Sequence, residues 1–135
     1  MSKLIKAIHH VALKCHTLEI FEKTVDFYGN VLGLPVVRKW GEGDAAGIMF
    51  DTGAGIVEVF ASADKELPQG TIRHFAFETD SVDKCVEAVK NAGYTVFKGP
   101  EDIVMPSEKP YPIRVAFCYG PVGEEVEFFQ VRENQ

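Results

Sequence analysis

The sequence predicts an α+β fold made of two similar halves, each with the order strand, helix and three strands. Three observations support this prediction. A strand-like segment with a central histidine occurs twice, as "IHHVAL" around His10 and as "IRHFAF" around His74. A segment with helical periodicity follows each one. The runs "VEVF" and "VEFF", centred on Glu58 and Glu127, then close the two halves at a similar distance from the histidines. Such an internal repeat predicts two copies of one supersecondary unit.

The first half, about residues 5–62, begins with alternating apolar and polar residues around His10, which predict a strand. The following run, "TLEIFEKTVDFYGNVLG", has apolar residues at helical steps, with Thr17 as N-cap and Gly33 as the terminating glycine. Three segments rich in β-branched and aromatic residues predict three further strands: "LPVVRKW", "AAGIMFDTG" and "GIVEVFA". The stretch "ASADKELPQG" predicts a linker at about 63–70.

The second half, about residues 71–132, repeats this order. The run "SVDKCVEAVKNAG" predicts a helix with Ser81 as N-cap and Gly93 as terminator. Strands are predicted in "YTVFKG", "YPIRVAFCYG" and "EEVEFFQV". Between the first two of these, "PEDIVMPSEKPYP" predicts a long loop at about 100–112, which could act as a lid. The two halves together are predicted to form one domain over residues 1–135.

Composition excludes several function classes. The net charge of −6 gives no basic surface for a nucleic-acid partner, and no apolar run is long enough to cross a membrane. Three widely spaced cysteines, Cys15, Cys85 and Cys118, lie in apolar contexts. Their odd number and spacing indicate reduced, buried thiols and hence a cytoplasmic location.

Alternation along the strands indicates where the polar residues point. His10 and His74 share a face with a small alanine, opposite the bulky residues that can pack on the helix. His9, next to the first of them, is expected on the other face. Glu58 and Glu127 are flanked two residues away by large apolar side chains, where a carboxylate is costly unless a cation pairs with it. Two imidazoles and two carboxylates at repeated positions predict a metal site.

At this point the sequence resembles a known family, the vicinal oxygen chelate superfamily, and specifically its glyoxalase I-like (glyoxalase/bleomycin resistance/dioxygenase) members. The segments that carry the resemblance are "IHHVAL", "FYGNVLGLPVV", "GIVEVF", "IRHFAFETDSVDKCVEAVKNAGYTV" and "GPVGEEVEFFQ". The resemblance implies tandem βαβββ modules that form a curved mixed sheet around a metal cleft. It also implies a homodimer and a ligand set of His10, Glu58, His74 and Glu127.

Such a ligand set leaves positions for substrate oxygens on one divalent ion per site, with Ni, Co or Zn favoured and Mn or Fe as alternatives. The ion can stabilise a developing enediolate as a Lewis acid. By resemblance to lactoylglutathione lyase, the expected reaction is removal of the proton next to a carbonyl, in a small hydroxy-carbonyl compound or a thiol adduct. Glu127 is the first choice for the base and Glu58 the second.

Other functions of the same superfamily remain open. Ring-cleaving dioxygenases and fosfomycin-type transferases use three ligands, and Glu58 argues against them. A methylmalonyl-CoA epimerase-like enzyme would have an amide at that position. A non-catalytic small-molecule-binding protein of the antibiotic-resistance type is the alternative without chemistry. Candidate substrate-binding residues are the cations and the tryptophan of the predicted strands: Arg38, Trp40, Lys98 and Arg114.

Overall fold

The α+β prediction is confirmed. A computed structural model of the chain describes Leu4 and residues 6–132; residue 5, the predicted start of the first half, lies outside them. The chain divides into two compact units, Met1–Leu67 and Pro68–Gln135. Each unit contains a four-stranded mixed sheet and a helix in the order βαβββ. The predicted linker segment 63–70 contains neither helix nor strand.

The first unit has a sheet with the strand order β1-β4-β3-β2. Its first strand runs parallel to β4, and the other neighbours are antiparallel. This arrangement puts the last strand of the module in an interior position of the sheet. The elements are β1 (His10–Lys14), α1 (Leu18–Asp26), β2 (Val36–Trp40), β3 (Gly47–Asp51) and β4 (Ile56–Phe60).

The second unit repeats this topology with the strand order β5-β8-β7-β6. Again the first strand is parallel to the last one, and the other neighbours are antiparallel. The internal repeat of the sequence is therefore a repeat of sheet topology. The elements are β5 (His74–Glu78), α2 (Val82–Asn91), β6 (Val96–Met105), β7 (Tyr111–Tyr119) and β8 (Glu125–Val131).

Both helices begin where the sequence predicts. The hydroxyl of Thr17 accepts a hydrogen bond from the Ile20 amide at 3.1 Å, and the hydroxyl of Ser81 accepts one from the Lys84 amide at 3.2 Å. These bonds satisfy amides that have no partner inside the helix. The second helix ends before Gly93, which has a φ of +92°, a backbone conformation that glycine adopts without strain.

The first helix is shorter than the sequence predicts. It ends at Asp26, and one π-helical turn (Phe27–Val31) follows before Gly33. The Leu32 amide donates to the carbonyl of Phe27, five residues earlier, which is the hydrogen-bond pattern of a π-helix. Phe27 and Tyr28 are both fully buried, so the wider turn keeps two successive aromatic rings in the core.

The predicted long loop at 100–112 is wrong. Strand β6 continues to Met105 and β7 begins at Tyr111, so the connection is only residues 106–110. Pro100 suggested a break, yet it lies in an edge strand at a register irregularity between Lys98 and Glu101. Proline is tolerated at a bulge of an edge strand because no ladder bond needs its missing amide proton. There is accordingly no long lid at this position.

Each sheet has two chemically different faces. One face, here called the helix face, packs on the helix of the same unit; in the first unit it carries Phe50, Val57 and Val59, which are buried. Tyr28, just after α1, contacts the ring of Phe50. The opposite face carries Glu58 in the first unit and Glu127 in the second, and is here called the glutamate face. Over the described part of the chain, no helix has the length and apolarity that a membrane crossing requires.

Candidate functional site

The glutamate face of the first unit carries a histidine beside a buried glutamate. His10 lies on β1, and Glu58 lies on the neighbouring β4. The register partner of Glu58 is Ala12 of β1. Only 6% of Glu58 is exposed. The small alanine leaves room for the imidazole, and His10 Nε2 lies 3.3 Å from Glu58 Oε1.

The second unit has the same pair at the same register. His74 lies on β5, and Glu127 on β8 has Ala76 as its partner. Glu127 is 9% exposed, and His74 Nε2 lies 3.2 Å from its Oε1. The ring of Phe117, whose residue pairs with Glu127 on β7, contacts His74 edge to face at 5.3 Å. The sequence repeat is thus also a repeat of side-chain geometry.

Burial makes the carboxyl of Glu127 a stronger base. Loss of solvation raises its pKa above the ordinary value, and the nearby charges of His74 and Lys98 oppose that rise. A carboxylate is poorly solvated in such a setting, so the protonated form gains relative stability. This direction suits a group that must take up a proton during a reaction.

The geometry of each pair fits two ligands of one metal ion. Imidazole nitrogen and carboxylate oxygen bind divalent metals at about 2.0–2.2 Å. Two ligands at that distance, separated by an angle between octahedral and tetrahedral values, lie about 3.0–3.4 Å apart. The observed separations of 3.3 and 3.2 Å fall in this range. Among the described residues, however, no three His, Cys, Asp or Glu side chains form one group able to hold a metal ion.

His9 does not point away from His10 as the sequence suggested. It precedes β1, so strand alternation does not govern its direction. Its Nδ1 lies 3.0 Å from His10 Nδ1, and the two rings are perpendicular. One of the two nitrogens must carry a proton for this hydrogen bond, so His9 influences which tautomer His10 adopts.

Arg38 and Trp40 lie on the glutamate face of the first unit. Arg38 pairs with Met49, which in turn pairs with Glu58. The indole of Trp40 covers Gly47, where any side chain would collide with it, and contacts the ring of Phe60 at 6.0 Å. The glycine therefore makes room for an aromatic side chain two strands away from β4.

Lys98 and Arg114 lie on opposite faces of the second sheet. Lys98 pairs with Phe117, the partner of Glu127, and so belongs to the glutamate face. Arg114 pairs with Gln130 on the helix face. There its guanidinium donates to Asp83 of α2 at 2.8 Å and contacts Asp102 of β6 at 3.2 Å. These two carboxylates raise the pKa of Arg114. The structure does not bring Arg114 to Glu127.

The second unit has a groove on its glutamate face that the sequence did not predict. The groove has a volume of about 330 Å³. It lies beside the next residues of β5 and β8 after the pair formed by His74 and Glu127. The signal in the sequence was the position of Phe129, two residues after Glu127 and on the same face. The residues that line the groove are Ala76, Glu78, Tyr111, Phe129 and Val131.

The family model "Glyoxalase/Bleomycin resistance protein/Dioxygenase superfamily" matches residues 7–128. The chain belongs to this superfamily. The resemblance inferred from the sequence is therefore confirmed. As its name states, the superfamily includes glyoxalases, resistance proteins and dioxygenases, so membership alone leaves both catalysis and binding open.

The similar proteins do not decide between catalysis and binding. The chain is 30% identical to the uncharacterized protein YwkD of Bacillus subtilis (strain 168) over 98 residues, which are 67% of this chain and 74% of that protein. The fold is similar to TnmS3, an antibiotic binding protein from Streptomyces sp. CB03234 (TM-score 0.72, 18% identity, 97% of this chain and 100% of that chain). It is also similar to a glyoxalase family protein from Enterococcus faecalis (TM-score 0.67, 21% identity, 94% and 99%).

Proposed function

We propose that the protein is a metal-dependent enzyme of the glyoxalase I-like type. In this proposal His10, Glu58, His74 and Glu127 bind one divalent metal ion, with Ni, Co or Zn as the favoured metals. The observation that carries the proposal is the repeated histidine–glutamate pair, because each copy has the separation of two ligands on one ion. A purely structural role would not require both copies to keep a buried carboxylate beside an imidazole.

The reaction would be proton transfer at a carbon next to a carbonyl. A divalent ion held by these ligands would supply Lewis acidity that polarises the carbonyl oxygen of a hydroxy-carbonyl substrate or thiol adduct. Glu127 would remove the proton with one carboxylate oxygen and return it to the neighbouring carbon. The resemblance to glyoxalase I supports Glu127 as the base, and burial raises the pKa of its carboxyl. His74, 3.2 Å away, would fix the position of that carboxylate.

Proton exchange with solvent tests this reaction. The metal-loaded protein is incubated in D₂O with the hemithioacetal of methylglyoxal and glutathione, and in parallel with dihydroxyacetone, and deuterium at carbon is followed by NMR. We expect Glu127→Gln to lower turnover by about 10²- to 10⁴-fold while retaining more metal than His74→Ala. If both variants lose metal equally, Glu127 is a ligand and not the base.

A second candidate function is small-molecule binding without chemistry. The groove on the glutamate face of the second unit supports it, because its walls include the aromatic rings of Tyr111 and Phe129, 5.9 Å apart. Such walls suit a flat apolar ligand. Ligand binding in a thermal-shift screen, together with no deuterium exchange in any hydroxy-carbonyl compound, would favour this function over catalysis.

We also propose a homodimer in the cytoplasm. The resemblance supports the dimer, which light scattering of the purified protein would test. The cytoplasmic location is supported by the three cysteine thiols: Cys15 and Cys118 are buried, and Cys85 is half-buried. Reduced thiols are typical of that compartment.

A further inference from the structure

Each unit has a β-bulge at an equivalent position near the start of its edge strand. In β2, Val36 pairs with Phe50 while Arg38 pairs with Met49, so two residues of β2 correspond to one residue of β3. In regular pairing, residues two apart on a strand share a face; here the bulge moves the later residue to the other face.

The second unit repeats this irregularity with another cation. Val96 pairs with Cys118 on the helix face, whereas Lys98 pairs with Phe117 on the glutamate face. Bulges that re-aim a side chain are typical near binding sites. Each module therefore uses a backbone irregularity to place a positive side chain on the face of its glutamate.

Each cation lies two strands away from the glutamate of its own unit. One strand separates Arg38 from Glu58, and one strand separates Lys98 from Glu127. Two strand spacings are about 9.5 Å between backbones, a gap that a long cationic side chain can partly close. A group bound at the glutamate could thus extend towards the cation.

Neither Arg38 nor Lys98 has an ionic contact that would prevent it from binding a ligand. Lys98 Nζ lies 3.8 Å from Glu101 Oε1, but both side chains are largely exposed, and such pairs contribute little. The same ammonium lies 5.7 Å from the centre of the Phe117 ring, which keeps it above the glutamate face. Arg38 has no ion pair with any described residue.

We propose that in each unit the cation after the bulge, Arg38 or Lys98, forms an anion subsite beside the glutamate of its own unit, so that the substrate is a hydroxy-carbonyl compound that carries a carboxylate or a phosphate. This inference rests on the proposed function and specifies the substrate class of the same site. Other cations do not share the arrangement: Lys14 also lies on the glutamate face, but in β1, whose pairing with β4 has no bulge. Lys39 pairs with Ile48 on the helix face, and Arg114 is held there by Asp83 and Asp102.

Matched pairs of probes test the subsite by isothermal titration calorimetry on the metal-loaded protein. Dihydroxyacetone phosphate is compared with dihydroxyacetone, and 5-hydroxy-4-oxopentanoate with hydroxyacetone, so that the two arms distinguish a phosphate from a carboxylate. We expect at least one anionic probe to bind about tenfold or more tightly than its neutral partner, as for a charge-assisted hydrogen bond. This preference should weaken in Arg38→Glu and in Lys98→Glu and disappear in the double variant, and Lys98→Gln should change it in the same direction as Lys98→Glu.

Lys39→Glu is the matched control, because it makes the same charge change beside Arg38 but on the helix face, and should keep the preference. A preference that persists in the double variant, or is absent from the metal-loaded wild type, overturns the subsite and leaves the proposed function standing. If the protein binds no metal, the proposed function fails. The probes are then titrated into the metal-free protein, where unchanged backbone amide NMR signals at Arg38 and Lys98 overturn the subsite too.

Discussion

The central feature at the scale of single residues is a buried carboxylate beside a half-exposed imidazole, present twice. A glutamate with 6% or 9% exposure is costly unless a positive group compensates for lost hydration. The imidazole supplies part of this compensation through a contact of 3.2–3.3 Å. A metal ion bound by the same atoms would supply more, which explains why such a pair would occur on both sheets.

His9 is expected to orient His10 through the contact between their Nδ1 atoms. For His10 Nε2 to bind a metal ion, its Nδ1 must carry the proton and donate to His9. We predict that His9→Ala weakens metal binding by about 10-fold or more, the effect that is typical when such a partner is lost. Arg73→Ala is the matched control, because Arg73 occupies the equivalent position before β5 and pairs with Glu125 instead. Equal affinities in His9→Ala and the wild type, by calorimetry, would contradict the orienting role.

We expect the buried thiol of Cys118 to lower the stability of the protein at alkaline pH. Burial raises the pKa of its thiol to about 12, whereas a thiol in the unfolded chain ionises near pH 8.5. The thiol therefore costs no stability below about pH 8.5, and stability decreases as the pH rises from there towards 12. Between pH 8 and pH 10 we predict that the wild type loses roughly 1–2 kcal/mol more than Cys118→Ala in urea unfolding. Identical losses would show that the thiol is not shielded from solvent.

Among the secondary-structure elements, the start of α2 gives the clearest test of a local sequence signal. Ser81→Ala removes the acceptor for the Lys84 amide and should lower the free energy of unfolding by about 1 kcal/mol. Ser81→Asp should retain most of the stability, because a carboxylate also accepts that bond and interacts well with a helix N-terminus. Urea unfolding monitored by circular dichroism measures both. A loss in Ser81→Asp as large as in Ser81→Ala would indicate that the hydroxyl acts by packing.

Local signals of this kind predicted most elements correctly and failed where tertiary context decides. Alternation, capping residues and β-branched content identified eight strands and two helices in the right order. Proline content misplaced the end of β6, because an edge strand tolerates Pro100. Helical periodicity also missed the π turn, which depends on burying Phe27 and Tyr28 together. The bulges before Arg38 and Lys98 have no signature in a single strand, since register exists only between paired strands.

For the whole molecule, duplication is the property that made the two histidine–glutamate pairs predictable. One histidine or glutamate on a strand carries little information, but the same residue types at equivalent positions in two units do. The distance between the histidine Nε2 and the glutamate Oε1 differs by only 0.1 Å between the two pairs. A metal ion shared by the two pairs stays a prediction, because the meeting of two units, in one chain or across a dimer, is not encoded in local periodicity. Nor could the sequence separate Arg114 from Lys98, which lie on opposite faces of the sheet.

Metal binding tests the central claim most directly. Chelator-treated protein is titrated with Ni²⁺ and with Zn²⁺ by calorimetry, alongside His10→Ala, His74→Ala and the control His16→Ala, whose exposed imidazole belongs to neither pair. We predict tight binding of one ion for each set of two histidine–glutamate pairs, lost in both His10→Ala and His74→Ala and unchanged in His16→Ala. Absent binding, or binding that survives in either pair variant, would contradict a shared metal site and favour the small-molecule-binding function.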